Sequence, residues 1–377
     1  MARVLSVLVG VVLTVAGIGA VSSPTSAATT GWASVTGGYD HTCGVRTDGR
    51  LYCWGDGTDY QLGHGNKWSE DLPKRVGSST SWKTVSGGDE FTCGTKTSGS
   101  LWCWGDGHDG KFGMGGGTDQ PVPGRVGSSS SWTKVSVGFD FACGLRKDKS
   151  LWCWGDNSWG QLGLGDTTDR NVPTRTGAEA AWDKIIPGGS HMCAIQTDES
   201  LWCWGNNSSG QLGLGDTSDR AVPTRVGSDQ AWTRIAAGGG HTCGSPTDGS
   251  LWCWGGNADG QLGLADAVTR TAPTRVGTSV TWDRLAADGR HTCGTRNGRL
   301  YCWGANGSGQ VGVGDRIDRN VPSRVGTSSS WSSPAAGSYH SCATRTDARL
   351  WCWGDNGYRQ LGVGDSRDRL SPVRLSP

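Results

Sequence analysis

A tryptophan recurs along this chain at an almost constant step. Successive copies are 50, 50, 50, 50, 50 and 49 residues apart, and they are Trp32, Trp82, Trp132, Trp182, Trp232, Trp282 and Trp331. A proline keeps nearly the same step from Pro73 to Pro372, and each is followed two positions later by an arginine. A fixed period of about 20–50 residues indicates a repeat architecture, in which each unit buries its apolar surface against its neighbours. We therefore expect seven similar structural units and no second globular domain.

Each unit consists of short β-forming runs separated by turn residues. Runs such as WTKVS, HTCGVRT, RLYCWG and PTRVG have Gly, Ser and Asp between them, which is typical of antiparallel strands. Four strands in about 50 residues make one blade of a β-propeller. The sequence thus predicts an all-β fold, a single seven-bladed propeller of four-stranded antiparallel blades. Taking the three short connections as one meander, we expect the last strand, residues 372–375, to pair beside the strand at Trp32 and close the ring.

One consensus runs through all seven units. It is GGxxHTCxxxxDGxLWCWGxNxxGQLGLGD followed by VPTRV, complete or nearly so each time. Over residues 31–377 the chain resembles the regulator of chromosome condensation repeat family, and the resemblance implies a seven-bladed β-propeller. A cysteine pair in each repeat is an addition to the family's basic pattern. The resemblance brings two functional precedents, which are nucleotide exchange on a small GTPase and inhibition of a β-lactamase by a secreted relative.

The fourteen cysteines are predicted to form one cross-strand disulfide per unit. In the first unit, a three-residue turn Thr47-Asp48-Gly49 places Cys43 opposite Cys53 at a non-hydrogen-bonded pair, within disulfide reach. The sixth unit is one residue shorter, but a two-residue Asn-Gly turn keeps the register. The spacing is wrong for zinc, and free buried thiols are the other alternative. The predicted pairs are Cys43–Cys53, Cys93–Cys103, Cys143–Cys153, Cys193–Cys203, Cys243–Cys253, Cys293–Cys302 and Cys342–Cys352.

The first 27 residues are typical of a secretory signal peptide. Arg3 precedes a mostly apolar run at 4–21, and the small residues Thr25-Ser26-Ala27 suit cleavage after Ala27 or Ala28. A membrane anchor is the alternative, because 18 residues is borderline for a span. We expect a signal peptide at 1–27, a propeller at 28–377, and a secreted protein with no membrane span after cleavage. An oxidising extracellular compartment agrees with the disulfides.

The charge balance bears on the partner. The formal net charge is +1 and falls to about zero without Arg3, and no basic tail or stripe appears, which argues against a nucleic-acid partner. We expect a monomer without cofactor, metal or catalytic residues. The histidine that opens the HTC run is replaced by Phe91 and Phe141 in two units, so it can be neither a shared metal ligand nor a proton carrier. The Asp in GLGD is interpreted as a turn residue and not a calcium ligand.

Two loops of every unit are predicted to share one face, and their residues differ between units. The opposite face carries Ser-rich and TDG turns with little chemistry. In units four and five the two positions before the repeated histidine carry small residues without charge or aromatic rings. In units seven, one, two and three the corresponding positions carry aromatic and acidic residues, and these four units are neighbours in a closed ring. Such side chains are typical of interfaces, and ordinary loop variation is the alternative. The candidate binding residues are Tyr39, Asp40, Tyr60, Trp68, Asp89, Glu90, His108, Phe139, Asp140, Trp159, Tyr339 and Tyr358, with Phe112 beside them.

The sequence therefore predicts a secreted, non-catalytic module that binds an extracellular protein, inhibitor- or receptor-like, through this loop face. The acidic residues favour a basic partner. The alternative is a propeller that binds carbohydrate or cell wall, with the same aromatic side chains as sugar platforms. An enzyme or an exchange factor is less well supported, because no catalytic motif occurs and the uniform repeats leave no inserted wedge to act on a nucleotide.

Overall fold

The repeat of the sequence is seen as seven separate four-stranded antiparallel sheets, which confirms the all-β, seven-bladed propeller. The structure is a computed structural model, and it describes residues 31–177, 181–228 and 230–376. The predicted signal peptide at 1–27 lies outside the described residues. Within the described ranges, no helix has the length and apolar character needed to cross a membrane, and the one helical turn is a 3-10 turn at His108–Gly110.

Every blade has an inner, a second, a third and an outer strand. The inner strands are β1 Trp32–Gly37, β5 Trp82–Gly87, β9 Trp132–Val137, β13 Trp182–Pro187, β17 Trp232–Ala237, β21 Trp282–Asp288 and β25 Trp331–Ala336. The second strands are β2 His41–Arg46, β6 Phe91–Lys96, β10 Phe141–Arg146, β14 His191–Gln196, β18 His241–Pro246, β22 His291–Arg296 and β26 His340–Arg345. The third strands are β3 Leu51–Gly55, β7 Leu101–Gly105, β11 Leu151–Gly155, β15 Leu201–Gly205, β19 Trp252–Gly255, β23 Arg299–Gly304 and β27 Leu350–Gly354. The outer strands are β4 Glu70–Arg75, β8 Gln120–Arg125, β12 Arg170–Thr176, β16 Arg220–Arg225, β20 Arg270–Arg275, β24 Arg319–Arg324 and β28 Arg369–Arg374.

The predicted closure of the ring by the C-terminal strand is wrong. β28 pairs with β27 of its own repeat, with Val373 opposite Cys352, and each sheet takes its four strands from consecutive sequence. The long segment after the third strand brings the chain back along the outer edge of the same blade, and the short Ser-rich link then leads to the next inner strand. The repeated proline thus lies in an exposed edge strand, where its missing N–H disrupts no ladder.

The first and last blades meet through side-chain packing and hydrogen bonds rather than a shared strand. Trp54 Nε1 donates to Gln360 O at 3.0 Å, as Trp104 Nε1 donates to Gln61 O at 2.9 Å between the first two blades. Trp32 and Trp54 of the first blade share one buried cluster with residues of the last blade, which are Cys342, Leu350, Cys352, Leu361 and Leu375. The closing junction is therefore built like the other junctions.

The hairpins carry the predicted disulfides, and all seven pairs are confirmed. Cys43 lies opposite Cys53 with a Cα–Cα distance of 4.1 Å, and Gly49 ends the turn at φ +77°. In the shorter sixth blade the two turn residues Asn297 and Gly298 both have positive φ, 51° and 70°. The Cys293–Cys302 pair is again 4.1 Å apart. The single-residue deletion therefore changes the turn type and leaves the pairing intact.

Candidate functional site

The loop face is the end of the propeller where, in each blade, the loop after the inner strand meets the loop after the third strand. Asp56 N donates to Asp40 O at 2.9 Å, and Asp106 N and Asp156 N make the same bond, each at 3.0 Å, to Glu90 O and Asp140 O. The predicted sharing of one face by the two loops is therefore confirmed. The arrangement mounts variable side chains on a rigid scaffold, as binding loops commonly are.

Two tyrosines join the seventh and first blades on this face. The rings of Tyr39 and Tyr339 pack edge to face with centroids 5.4 Å apart, and their hydroxyls lie 3.3 Å apart. The hydrogen bond to Tyr339, together with burial, raises the pKa of Tyr39. Tyr339 keeps 41% of its surface exposed. The two ends of the sequence thus contribute to one continuous aromatic patch.

Beside this patch, carboxylates crowd together. Burial, then the charges of Asp355 and Asp56, raise the pKa of Asp40 to about 7. Burial, then Asp140 and Glu90, raise the pKa of Asp89 to about 6. Burial and the neighbouring carboxylates both disfavour the ionised form of these side chains. A cation brought to this part of the loop face would stabilise their ionised form.

Lys111 is a charged residue of the loop face that the sequence reasoning missed. It replaces the glutamine found at the same position of the other repeats, such as Gln61 and Gln161. Its side chain is buried, and its Nζ lies 2.6 Å from Asp106 Oδ2 and 3.0 Å from Asp140 Oδ1. Asp140, a predicted binding residue, is therefore already paired with a cation. The available signal in the sequence was a lysine at a position where the other repeats have glutamine.

The other predicted binding residues differ in how much they present to a partner. Trp68, Tyr358 and Trp159 are exposed at 73%, 52% and 45%. The ring of Tyr60 is covered by the ammonium of Lys67 at 4.7 Å. Phe139 is half-buried and lines the upper end of the central cavity. Glu90 is exposed as a residue, and the partial desolvation of its carboxyl group is the main cause of its raised pKa. The inclusion of Phe112 was wrong, because its ring is buried in a core cluster.

One group of residues on this face has the composition of a metal site. The ligand atoms of Asp106, His108 and Asp119 lie within 4.8 Å of one another. His108 Nδ1 is bonded to Asp106 Oδ1, and Asp106 Oδ2 contacts the ammonium of Lys111 at 2.6 Å. The carboxylate of Asp106 is thus already compensated by Lys111. The geometry is that of an ion-pair network among Asp106, His108 and Lys111.

A hydrogen-bonded network holds the loop after the third strand in most blades. In the third blade, Asn157 Nδ2 donates to Asp166 Oδ1 at 3.1 Å, and Arg170 donates to Asp166 Oδ2 at 2.6 Å. Blades four to seven repeat this set, so the interpretation of Asp166 and its equivalents as turn residues is confirmed. In blades one and two the asparagine is Gly57 or Gly107. The loop after the third strand therefore lacks this network in these two blades.

The repeated histidines link neighbouring blades. His41 Nε2 lies 2.8 Å from Thr92 Oγ1, and Thr92 Oγ1 donates to Gln61 O at 2.9 Å. The histidine therefore donates, and burial lowers its pKa to about 4. Equivalent pairs follow around the ring, and they are His191–Thr242, His241–Thr292, His291–Ser341 and His340–Thr42. Where phenylalanine replaces histidine, an apolar residue replaces the hydroxyl, as in Phe91–Ala142 and Phe141–Met192. The histidines are structural.

Replacing Thr92 by alanine is expected to destabilise the protein by about 1–3 kcal/mol, because the buried Nε2–H of His41 loses its acceptor. Adding His41→Phe to this change reproduces the natural Phe91–Ala142 pair, and should recover most of that loss. Urea unfolding of wild type, T92A, H41F and the double variant gives the coupling energy. Simple additivity of the two single changes would contradict the paired role.

Comparison with known proteins agrees with this architecture. An RCC1-like domain model matches residues 16–333, and a regulator of chromosome condensation (RCC1) repeat model matches residues 335–360. Human WBSCR16 superposes with a TM-score of 0.79 at 20% identity, covering 87% of this chain and 94% of that one. Prp20p from Saccharomyces cerevisiae superposes with a TM-score of 0.77 at 21% identity, and the match covers 92% of this chain and 88% of that one.

A curated relative matches only one short stretch. A Caenorhabditis elegans homolog of the X-linked retinitis pigmentosa GTPase regulator is 49% identical over 43 residues, which is 11% of this chain. The match spans 3% of that protein's length. It therefore reflects a local repeat and carries no functional argument.

Proposed function

Because this chain belongs to the RCC1-like domain family, whose propellers are binding or regulatory modules, we propose that it is a secreted, non-catalytic module that captures an extracellular protein on its loop face. Prp20p binds Gsp1p and histones, but at 21% identity the likeness concerns the fold alone. Seven buried disulfides support an oxidising environment, and the apolar N-terminal run supports export.

The proposal rests on the blades whose loops differ from the otherwise uniform repeat. Blades one and two lack the Asn–Asp–Arg network that holds the equivalent loops elsewhere. The same blades contain Trp68, Asp89 and Glu90. Departures from an otherwise uniform scaffold tend to concentrate at functional sites. Exposed Tyr339 and Tyr358 of the seventh blade adjoin the first blade through the Tyr39–Tyr339 contact.

The chemistry of this surface favours a basic partner. Burial, and then the charges of neighbouring carboxylates, raise the pKa values of Asp40 and Asp89. Lys or Arg side chains of a partner would relieve that repulsion, and neighbouring tyrosine and tryptophan rings would pack against their apolar stems. Complementary charge of this kind speeds association and sets specificity.

A carbohydrate or cell-wall ligand is the second candidate. The exposed indole of Trp159 and the exposed Trp68 are suitable platforms for sugar rings. Capture from culture supernatant distinguishes the two. A recovered protein supports the first candidate, and retention on insoluble wall or purified glycan supports the second.

Replacing Trp68, Tyr339 and Tyr358 together by alanine is expected to weaken partner capture by at least about a hundredfold, because interface aromatics cost about 2 kcal/mol or more each. These side chains are exposed, so the fold should survive. Capture should also weaken as the pH falls through 7 to 6, since protonation removes the charges of Asp40 and Asp89. Surface plasmon resonance against the captured partner measures both effects.

The matched control introduces two large side chains on the side of the ring that lacks the aromatic and acidic residues. Ser190→Trp and Ser209→Trp lie in blade four, away from the aromatic patch. They should leave affinity unchanged. If they block capture while the three alanine changes do not, the binding surface lies across the ring and the proposal fails.

A further inference from the structure

A row of basic residues lies near the start of consecutive inner strands, towards the lower end of the central cavity and opposite the loop face. Two positions after the repeated tryptophan, four consecutive blades carry a basic residue, and these are Lys134, Lys184, Arg234 and Arg284. The other three blades carry Ser34, Thr84 and Ser333 there. Lys83, one position earlier, also lines the cavity.

These cations are not compensated by ion pairs. Lys134 Nζ donates to Ile185 O at 3.2 Å, and Lys184 Nζ donates to Thr233 O at 2.6 Å. Both acceptors are neutral carbonyls on the next inner strand. In the part of the chain that the structure describes, none of the five basic side chains forms a salt bridge. Adjacent like charges without counter-charges are costly.

The cavity beside them has the size and the polar lining of a ligand site. The whole central cavity, from this end to Phe139 and Asp288 at the loop face, has a volume of about 450 Å³, which is within the range of small-molecule pockets. Lys83 and Lys134 line it together with Ser34.

We propose that the lower end of the central cavity binds a multiply charged phosphate-bearing ligand, held by Lys134 on the cavity wall and by Lys184 at the start of the neighbouring inner strand. Arg234 and Arg284 extend the same row along the lower rim. Ammonium and guanidinium groups form strong charge-assisted bonds to phosphate oxygens. A ligand with several negative charges compensates several cations at once, whereas a monocarboxylate compensates one. This site is independent of the loop face and of the protein partner proposed for it.

The ionisation of Lys134 provides a second readout. Burial, then the charge of Lys184, lower the pKa of Lys134, and Asp183 opposes this. Asp183 is itself paired with Lys149 at 3.0 Å. A bound anion would raise the pKa of Lys134 again. Binding above neutral pH should therefore take up protons.

The test is calorimetric titration of the full propeller with sodium tripolyphosphate, in two buffers of different ionisation enthalpy. We expect saturable binding with more proton uptake for the wild type than for Lys134→Gln, because the ionisation of the ligand itself is common to both. Lys134→Gln and Lys184→Gln should each weaken the affinity about tenfold or more, because each removes a charge-assisted contact. Arg284→Gln changes an exposed side chain and should weaken it less, with no effect on the fold. Thermal melting of each variant checks that the fold is intact.

The matched control is Lys147→Gln, which removes the same charge from an exposed turn on the same side of the molecule. Its affinity should equal that of the wild type. The absence of tripolyphosphate binding at millimolar concentration would overturn the proposal. So would equal weakening by Lys147→Gln, which would indicate diffuse attraction to the whole face, or undiminished binding by the Lys134 and Lys184 variants.

Discussion

Replacing both cysteines of any one hairpin by alanine is expected to lower the free energy of unfolding by about 3 kcal/mol. The figure follows from the closure of a loop of about 11 residues in the unfolded chain. Because every pair lies at the same register and the sulfurs are buried, the loss should be similar in all blades, including the Cys293–Cys302 pair with its shorter separation. Denaturant unfolding of single-pair variants, for instance C193A/C203A, measures it.

The internal control is the comparison between blades. A loss confined to one or two hairpins would mean that the bridges stabilise particular junctions rather than each blade separately. Reduction gives a further check. The buried sulfurs should resist a thiol reductant under native conditions and react only when denaturant opens the blades. Rapid native reduction would contradict the buried placement.

Ending the chain at Ser371 is expected to destabilise the protein by about 3–5 kcal/mol, and to do so locally. The cut removes Leu375, which is buried against the first blade, and the hydrogen bond from Leu375 N to Leu350 O at 3.0 Å. Loss of one buried leucine side chain accounts for about 2–5 kcal/mol. A chain ending at Leu375 is the matched control and should keep wild-type stability.

Hydrogen exchange shows where the truncation acts. Protection should fall in β27, whose residues Trp351 and Cys352 lose the partners Arg374 and Val373. Protection in the inner strand β1 should change little. Loss of protection in β1 instead would restore the rejected idea that the last strand completes the first blade.

The parts of the fold that depend on adjacent sequence could be predicted. Turn length fixes which residues face each other in a hairpin, so Cys43 opposite Cys53 follows from counting. The pairing of the outer strand could not be decided in this way. It is flanked by a long loop and a short link, and either could join it to a blade. The long loop has its own internal structure, with Asn157 and Arg170 bonded to Asp166, and so it folds back on its own blade.

The location of the candidate site could be predicted from the sequence, but the ion pairs and charged neighbours of its residues could not. The contiguity of blades seven and one follows from a closed ring, and the Tyr39–Tyr339 contact reflects it. The ion pairs of Lys111 and the cation row at Lys134 depend on which blade lies beside which. The histidine partners illustrate the same limit. Within one repeat the histidine does not predict the residue that follows it, as in His191-Met192. The pairing is visible only when each histidine is compared with the following repeat.

The closing junction has a consequence for how the architecture tolerates changes in repeat number. Because each blade is built from consecutive residues and the last meets the first through an ordinary junction, no strand has to be exchanged to make the circle. Gain or loss of one repeat unit would alter the circumference without rewiring any sheet. What would change is the angle between neighbouring blades and, with it, the width of the axial opening that the inner strands enclose.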